Sequence, residues 1–187
     1  MLRIISGKLK GRKLRTLKGQ STRPTLEKTR ETIFNILQSR LDLTRYEAYD
    51  LFAGSGALGF EAFSRGADQV TFIENNRASY TLLKSNIDSL SLSNHCSTTF
   101  IDAIRWIKSA NWTGKSKLFL LDPPYQSDLL QSVINELGRS PDIPENSAIV
   151  LETEKQKEIS YPDHFQLFRQ KMFGKTRIDF IEIRSQI

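Results

Sequence analysis

The chain of 187 residues contains few of the residues that form disulfides and metal centres. Its single cysteine, Cys96, excludes an intramolecular disulfide, and two histidines are too few for the usual zinc clusters. No apolar run reaches the roughly 18 residues needed to cross a bilayer. Residues 1–8 also lack the apolar core of a secretion signal. These absences favour a cytoplasmic protein that holds no metal.

Positive charge is concentrated at the amino terminus. The first thirty residues contain ten Lys or Arg against Glu27 alone, a net +9, so with +6 overall the remainder carries −3. Such an arm either meets a polyanion or is a solvated tail. Apolar residues interrupt the charges, and Gly7 and Gly11 offer turn points. We therefore predict that residues 1–24 form a small, half-buried β-hairpin that precedes one main domain, residues 25–187.

Strand-like and helix-like segments alternate after the arm. Thr25 is a candidate N-cap for a helix from about Leu26 to Leu41. Strands are predicted at 48–52, 70–74, 97–101, 118–121 and 148–152, and helices at 57–65, 77–90, 103–109 and 128–137. Two β-rich runs, 165–173 and 176–183, join at Gly174 as an antiparallel hairpin. This order predicts an α/β fold with a mostly parallel, doubly wound sheet.

A glycine-rich turn follows the first strand of the main domain. Gly54, Gly56 and Gly59 form a GxGxxG motif that opens a helix, and Glu74 ends the next strand twenty residues after Gly54. The motif alone is weak. A strand before it, a helix after it and an acid closing the second strand are the context that a nucleotide-type binding site requires.

Two cofactor classes compete for this turn. A dinucleotide would place its pyrophosphate at the helix N-terminus. S-adenosylmethionine carries an amino acid end and a sulfonium cation instead, which suits Asp50 before the loop, and Asp102 could accept from the adenine amine. Each acid could also have a purely structural role: a loop-tying hydrogen bond for Asp50 and helix capping for Glu74 and Asp102.

The sequence Asp122-Pro123-Pro124-Tyr125 follows a buried strand. The carboxylate of Asp122 and the carbonyl of Pro123 are acceptors held on a stiff turn, and they would draw the N–H groups of an exocyclic amine and so localise its lone pair for attack. Tyr125 can stack on the base. A plain Asp-Pro-Pro turn with no chemical role would have the same sequence.

At this point the chain resembles the S-adenosylmethionine-dependent amino-methyltransferases, and more closely the bacterial 16S rRNA guanine-N2 methyltransferase family of the RsmD type. The resemblance spans nearly the whole chain. It rests on the segments 3–7, 11–12, 23–25, 30–35, 50–59, 64–67, 122–125 and 173–176. Lys175 departs from the acidic or neutral residue expected in the last of these.

The resemblance implies a Rossmann-like class I methyltransferase fold with a seven-stranded sheet. It implies S-adenosylmethionine as cofactor and 16S rRNA or the assembling small subunit as partner. We expect the protein to act as a monomer. Asp122, Pro123, Pro124 and Tyr125 would be catalytic. The implied cofactor contacts are Asp50, Phe52, Ala53, Gly54, Gly56, Glu74, Asn75, Asp102 and Ala103. The implied RNA contacts are Lys8, Lys10, Arg12, Lys13, Arg15, Arg23 and Arg30.

The four-residue motif does not by itself choose guanine. Adenine-N6 methyltransferases carry the same string, although adenine offers a bare N1 acceptor that an ionised Asp122 cannot satisfy. The predicted strands also leave no room for a DNA recognition domain. Two more classes are compatible with parts of the pattern: a nicotinamide-dependent dehydrogenase and a non-catalytic RNA-binding module.

Overall fold

A computed structural model of the chain describes residues 2–17, 24–123 and 129–185; for residues 24–26 it describes the backbone alone. The strands are β1 (Leu2–Arg3), β2 (Lys13–Leu14), β3 (Tyr46–Asp50), β4 (Val70–Glu74), β5 (Cys96–Phe100), β6 (Ser116–Leu121), β7 (Ala148–Glu154), β8 (Phe165–Phe173) and β9 (Thr176–Ile183). The helices are α1 (Pro24–Gln38), α2 (Ala57–Ser64), α3 (Arg77–Leu90), α4 (Ala103–Ser109) and α5 (Leu129–Gly138). None of these helices is long and apolar enough to cross a membrane.

Seven strands form one sheet in the order β5-β4-β3-β6-β7-β9-β8. The first five of these run parallel, and β9 and β8 add the antiparallel hairpin at the end. The predicted fold class is therefore confirmed. The strand order reverses between β3 and β6, and at such a switch point a crevice opens at the carboxyl ends of the strands.

Two apolar cores cover the faces of this sheet. Helices α1, α2 and α3 contribute Phe34, Phe60 and Leu83 to one core, and α4 and α5 contribute Ile107 and Val133 to the other. The β-branched and aromatic residues of the central strands face both cores, as expected for parallel strands that are buried on both sides. Most predicted element bounds agree with the structure within two residues.

Two sequence predictions at element ends are wrong. Helix α1 begins at Pro24, so Thr25 lies inside it rather than at the N-cap; proline is favoured in a first helical turn because no N–H is required there. Strand β3 covers Tyr46–Asp50 instead of 48–52. Tyr46 and Glu47 pair with Ser116 and Lys117 of β6, and this pairing extends the strand at its amino end.

The amino-terminal arm folds as a hairpin that packs on α2. Leu2 pairs with Leu14 and Arg3 with Lys13 in antiparallel register, and Leu2, Ile4 and Leu14 are buried in the first core. Between the strands, Gly7 has a positive φ of 79°, and a Cβ there would collide with the Ser64 carbonyl. The predicted hairpin is therefore present, and it is closely fitted to the main domain.

The Glu61 carboxylate of α2 attaches the arm to the domain. It is fully buried and accepts the backbone N–H groups of Ile5 (2.8 Å) and Ser6 (3.1 Å). Arg65 Nε donates to it at 2.7 Å, and Arg30 Nε lies 3.8 Å away. A buried carboxylate requires several such partners to offset its lost hydration.

Replacing Glu61 with Ala should destabilise the protein by about 3–5 kcal/mol, because two buried guanidinium groups and two backbone donors lose their acceptor. Urea unfolding followed by circular dichroism measures this change. Asp68→Ala is the matched control, since it breaks only the exposed 2.9 Å ion pair with Lys115 and should leave the free energy of unfolding nearly unchanged. Equal costs for the two variants would contradict the anchoring role of Glu61.

Candidate active site

Acidic residues stand at the carboxyl ends of five adjacent parallel strands. In sheet order they are Asp102 after β5, Glu74 at the end of β4, Asp50 at the end of β3, Asp122 after β6, and Glu152 near the end of β7. The register aligns them, since Asp50 pairs with Leu120 and Leu121 with Leu151. One edge of the sheet therefore concentrates negative charge.

The glycine-rich turn leaves open space in front of this edge. Gly54 and Gly56 have positive φ values of 53° and 81°, which favour glycine. A Cβ built on Gly54 would meet nothing within 4 Å, so a ligand can approach the backbone there. At Gly59 a Cβ would collide with the Phe72 ring, so this third glycine allows α2 to pack closely on β4.

Glu74 connects the glycine turn to the start of α3. Its Oε2 accepts the Gly54 N–H at 2.8 Å and its Oε1 accepts the Asn76 N–H at 2.7 Å. Asn76 in turn caps α3 through its side chain, and Asn75 between them is exposed at the edge. Each carboxylate oxygen retains a second lone pair, so Glu74 can still accept from a ligand hydroxyl.

Asp50 lies beneath the turn and is only 2% exposed. Its Oδ2 accepts the Gly59 N–H at 3.0 Å, which is the loop-tying bond considered as its structural role. The pKa of Asp50 is raised to about 7. Burial is the main cause, the bond from Gly59 opposes it, and the charge of Glu74 adds to it. Asp50 is thus both a brace for the loop and a group that titrates near neutrality.

Asp102 caps α4. Its Oδ1 accepts the N–H groups of Ile104 (3.0 Å) and Arg105 (3.1 Å), which is the structural role expected for it. Neither of these two bonds uses Oδ2, so that oxygen keeps its capacity to accept from a ligand at the half-buried edge. The neighbouring Ala103 is buried in the second core.

Two further predicted cofactor residues flank the turn. Phe52 is half-buried against the second core, and Ala53 is buried and donates its N–H to the Ile73 carbonyl at 3.1 Å. They hold the loop against the ends of β3 and β4.

Asp122 stands at the switch point, directly after β6. Its pKa is raised to about 8, chiefly by desolvation and then by the charges of Glu152 and Asp50. Asp122 nevertheless retains an exposed surface, so solvent screens part of this shift. Pro123 is buried next to it; Pro124 and Tyr125 lie outside the described residues.

Glu152 is a site residue that the sequence predictions omitted. It follows Leu151 on β7, and Asp122 follows Leu121 on the neighbouring strand β6. Because Leu121 and Leu151 are register partners, Glu152 and Asp122 occupy adjacent positions in the sheet. The available signal was its position at the end of the fifth parallel strand, the same position that singled out the other acids.

Five predicted RNA contacts of the arm are exposed: Lys8, Lys10, Arg12, Lys13 and Arg15. Three of them also touch the domain. Lys8 Nζ lies 3.4 Å from the Phe63 ring centroid, Arg12 donates to the Ser89 carbonyl, and Arg15 donates to Ser85 Oγ. The backbone at Arg15 exchanges two hydrogen bonds with Asn86. Arg23 lies outside the described residues.

Arg30 does not belong to that surface, and its prediction as an RNA contact is corrected. Its side chain is 6% exposed, donates to the Arg3 carbonyl at 2.7 Å and lies beside Glu61. Burial lowers the pKa of its guanidinium. The helical pattern of α1 alone could not reveal this, because the arm covers Arg30 only after it folds back.

The acidic residues at the carboxyl edge of the sheet favour a cationic ligand over an anionic one. Several carboxylates facing one recess attract positive charge and repel a pyrophosphate. Within the described ranges, no three His, Cys, Asp or Glu side chains are grouped as a metal ion would require. The charge of this edge therefore favours a cationic cofactor over a dinucleotide.

Comparison with known proteins agrees with this geometry. Residues 2–182 match the family model described as Conserved hypothetical protein 95. Ribosomal RNA small subunit methyltransferase D of Haemophilus influenzae is 34% identical, with 92% of this chain and 89% of the relative covered. The protein of the same name from Escherichia coli strain K12 is 33% identical over 99% of this chain and 91% of its own.

Solved structures share the fold over the same length. The structure of yhhF from Escherichia coli superposes with a TM-score of 0.84 at 31% identity, covering 99% of both chains. An RNA methyltransferase from Salinibacter ruber, solved with S-adenosyl-L-homocysteine, shares the fold with a TM-score of 0.62 at 13% identity over 84% of this chain and 93% of its own. The chain therefore belongs to the family described as Conserved hypothetical protein 95, the RsmD family.

Proposed function

We propose that this protein transfers a methyl group from S-adenosylmethionine to the N2 amine of a guanine in small-subunit rRNA. It acts in the cytoplasm as a monomer, on 16S rRNA or on the assembling subunit. The observation that carries the proposal is the position of Asp122, next to Asp50 and Glu152 at the switch point of the sheet. The names of the rRNA-modifying relatives support the substrate class.

The glycine turn and the strand-end acids fit this cofactor. The open space at Gly54 admits a ligand close to the backbone, and Glu74 beside it can accept from ribose hydroxyls. Asp102 and Asn75 directly follow β5 and β4, and we expect them to contact the adenine. When bound, S-adenosylmethionine would supply a methyl group that its sulfonium makes electrophilic. The protein's own side chains offer no such group.

Asp122 acts on the nucleophile. An exocyclic amine is a poor nucleophile because its lone pair is delocalised into the ring, and hydrogen bonds from its N–H groups to fixed acceptors localise that pair. A guanine presents N1–H beside N2–H, so one carboxylate can accept from both. After transfer the surplus proton on N2 passes to Asp122, whose exposed side connects it to solvent. Tyr125 would stack on the base.

The arm supplies the affinity for RNA. Lys8, Lys10 and Lys13 are exposed next to a domain whose sheet edge is acidic, so the polyanion is attracted to one end of the molecule. Because Glu61 fixes the arm against α2, which also carries the glycine turn, RNA bound by the arm is held at a set distance from the site.

Asp122→Ala should lower kcat by roughly 10²- to 10³-fold, because the amine loses its fixed acceptor. Transfer of a labelled methyl group to rRNA lacking the modification measures the rate. Binding of S-adenosylhomocysteine should stay near normal, as calorimetry can verify.

Glu154→Ala is the matched control for that variant, because it removes an exposed carboxylate from the same end of β7. It should retain full activity. Retained methylation by Asp122→Ala would refute the role of Asp122, and methylation of adenine rather than guanine would overturn the choice of base.

Affinity for S-adenosylmethionine should rise with pH. The raised pKa of Asp122 leaves a larger protonated fraction near neutral pH than an ordinary carboxyl has, and both the sulfonium and the guanine N–H groups bind the ionised form more tightly. The affinity ratio of wild type to Asp122→Asn should therefore increase between roughly pH 6 and 8, about tenfold for each unit by which the cation lowers the pKa. The ratio cancels the titration of the ligand, and a flat ratio would contradict the proposal.

Replacing Arg12, Lys13 and Arg15 together with Ala should weaken RNA binding and flatten its dependence on salt. Three lost phosphate contacts reduce the slope of log affinity against log salt by about 2 for single-stranded RNA. Fluorescence anisotropy over a salt series gives the slope. The control removes Arg105, Lys108 and Arg139, three exposed cations on the opposite face of the sheet. An unchanged slope in the arm variant would show that these three cations do not contact RNA phosphates.

A further inference from the structure

The outer surface of α3 carries a basic groove that is separate from the acidic edge of the sheet. The groove has a volume of about 620 Å³ and lies between α3 and the arm. Its lining includes Arg15, Arg77, Tyr80, Lys84, Ser85 and Asp88. Of the described lining residues, Asp88 alone carries a carboxylate, and it lies towards the carboxyl end of the helix. Three cations thus face one acid, and the acid is remote from Arg77.

Aromatic rings stand among these cations. Phe100 ends β5, the edge strand, and is 44% exposed although a phenyl ring is normally buried. The Tyr80 ring lies 5.3 Å from it, centroid to centroid, and the Arg77 guanidinium carbon lies 5.4 Å from its centroid. Lys84 Nζ lies 5.9 Å from the Tyr80 ring. Exposed rings interleaved with cations are the pattern of surfaces that bind single-stranded nucleic acid.

The groove joins the arm to the candidate active site. At one end Arg12 donates to the Ser89 carbonyl (3.1 Å) and Arg15 to Ser85 Oγ (2.6 Å), so the arm forms its wall. At the other end Arg77 is the third residue after Glu74, and Phe100 precedes Asp102 by two residues. A chain lying in the groove therefore runs from the arm to the acidic edge of the sheet.

We propose that this α3 groove binds an unpaired stretch of rRNA next to the target guanine. Arg15, Arg77 and Lys84 contact its phosphates, and one base stacks on the open face of Phe100. The stretch must be unpaired, because the faces of bases in a duplex are already covered by their neighbours. This inference rests on the proposed function, because the stretch belongs to the rRNA that the protein is proposed to methylate.

The helical period places the groove residues of α3 on one face. Arg77, Tyr80 and Lys84 are three and four residues apart and so share one face, which adjoins the buried stripe of Leu83 and Ile87. Phe100 and Arg15 come from distant segments, which is why the chain pattern did not reveal the groove.

Two variants test the groove. Arg77→Ala with Lys84→Ala should lower the salt slope for a single-stranded RNA oligonucleotide by about 1.4, the value for two lost phosphate contacts. Phe100→Leu keeps an apolar side chain but removes the ring, and should weaken binding roughly tenfold with the slope unchanged. A duplex of the same sequence should bind wild type and Phe100→Leu equally. Fluorescence anisotropy measures each affinity.

The matched control is Lys108→Ala with Arg139→Ala, which removes two exposed cations on the other face of the sheet and should leave affinity and slope unchanged. Equal slopes for the α3 variant and wild type, or equal affinities for Phe100→Leu and wild type, would overturn the proposal. Methylation of rRNA by the wild-type enzyme is scored separately. Its absence would refute the proposed function, whereas methylation with unchanged binding by the variants would refute only the groove.

Discussion

The buried carboxylate of Glu61 is the interaction on which the rest of the structure depends. It joins three segments that are distant in sequence: the hairpin through Ile5 and Ser6, helix α1 through Arg30, and its own helix α2 through Arg65. Helix α2 begins at the glycine turn, so the same helix carries the arm and the proposed cofactor loop. A charge buried at this depth is tolerable only while all its partners are in place, which makes the arm an integral part of the fold rather than an appendage.

The opposite constraint operates at the carboxyl edge of the sheet. The parallel register brings five acids to one edge, where desolvation, together with repulsion from neighbouring carboxylates, raises the pKa values of Asp50 and Asp122. The basic arm lies apart from these acids, so the molecule carries charge of opposite sign on two surfaces. In the proposed function the basic surface meets the RNA and the acidic edge meets the cationic cofactor.

The strand-end acids combine structural roles with the ligand-binding roles proposed for them. Asp50 ties the loop, Glu74 bridges the turn to α3, and Asp102 caps α4, so each braces the backbone that a ligand would contact. Sequence spacing located all three because the end of a strand is visible as the end of an apolar run. The same spacing could have located Glu152. It could not have separated Arg30 from the exposed arginines, because its burial depends on how the arm folds back.

The sequence by itself determined the α/β class, the order of the elements, the glycine turn and the acids that follow β3, β4, β5 and β6. These features are local, since the period of the apolar residues and the turn residues that interrupt them encode each element without reference to the others. Only the tertiary structure decided which basic residues face solvent, and how Phe100 and Arg15 both come to lie against α3. Those outcomes depend on sheet register and helix docking, which bring together residues far apart in the chain and so leave no trace in local pattern.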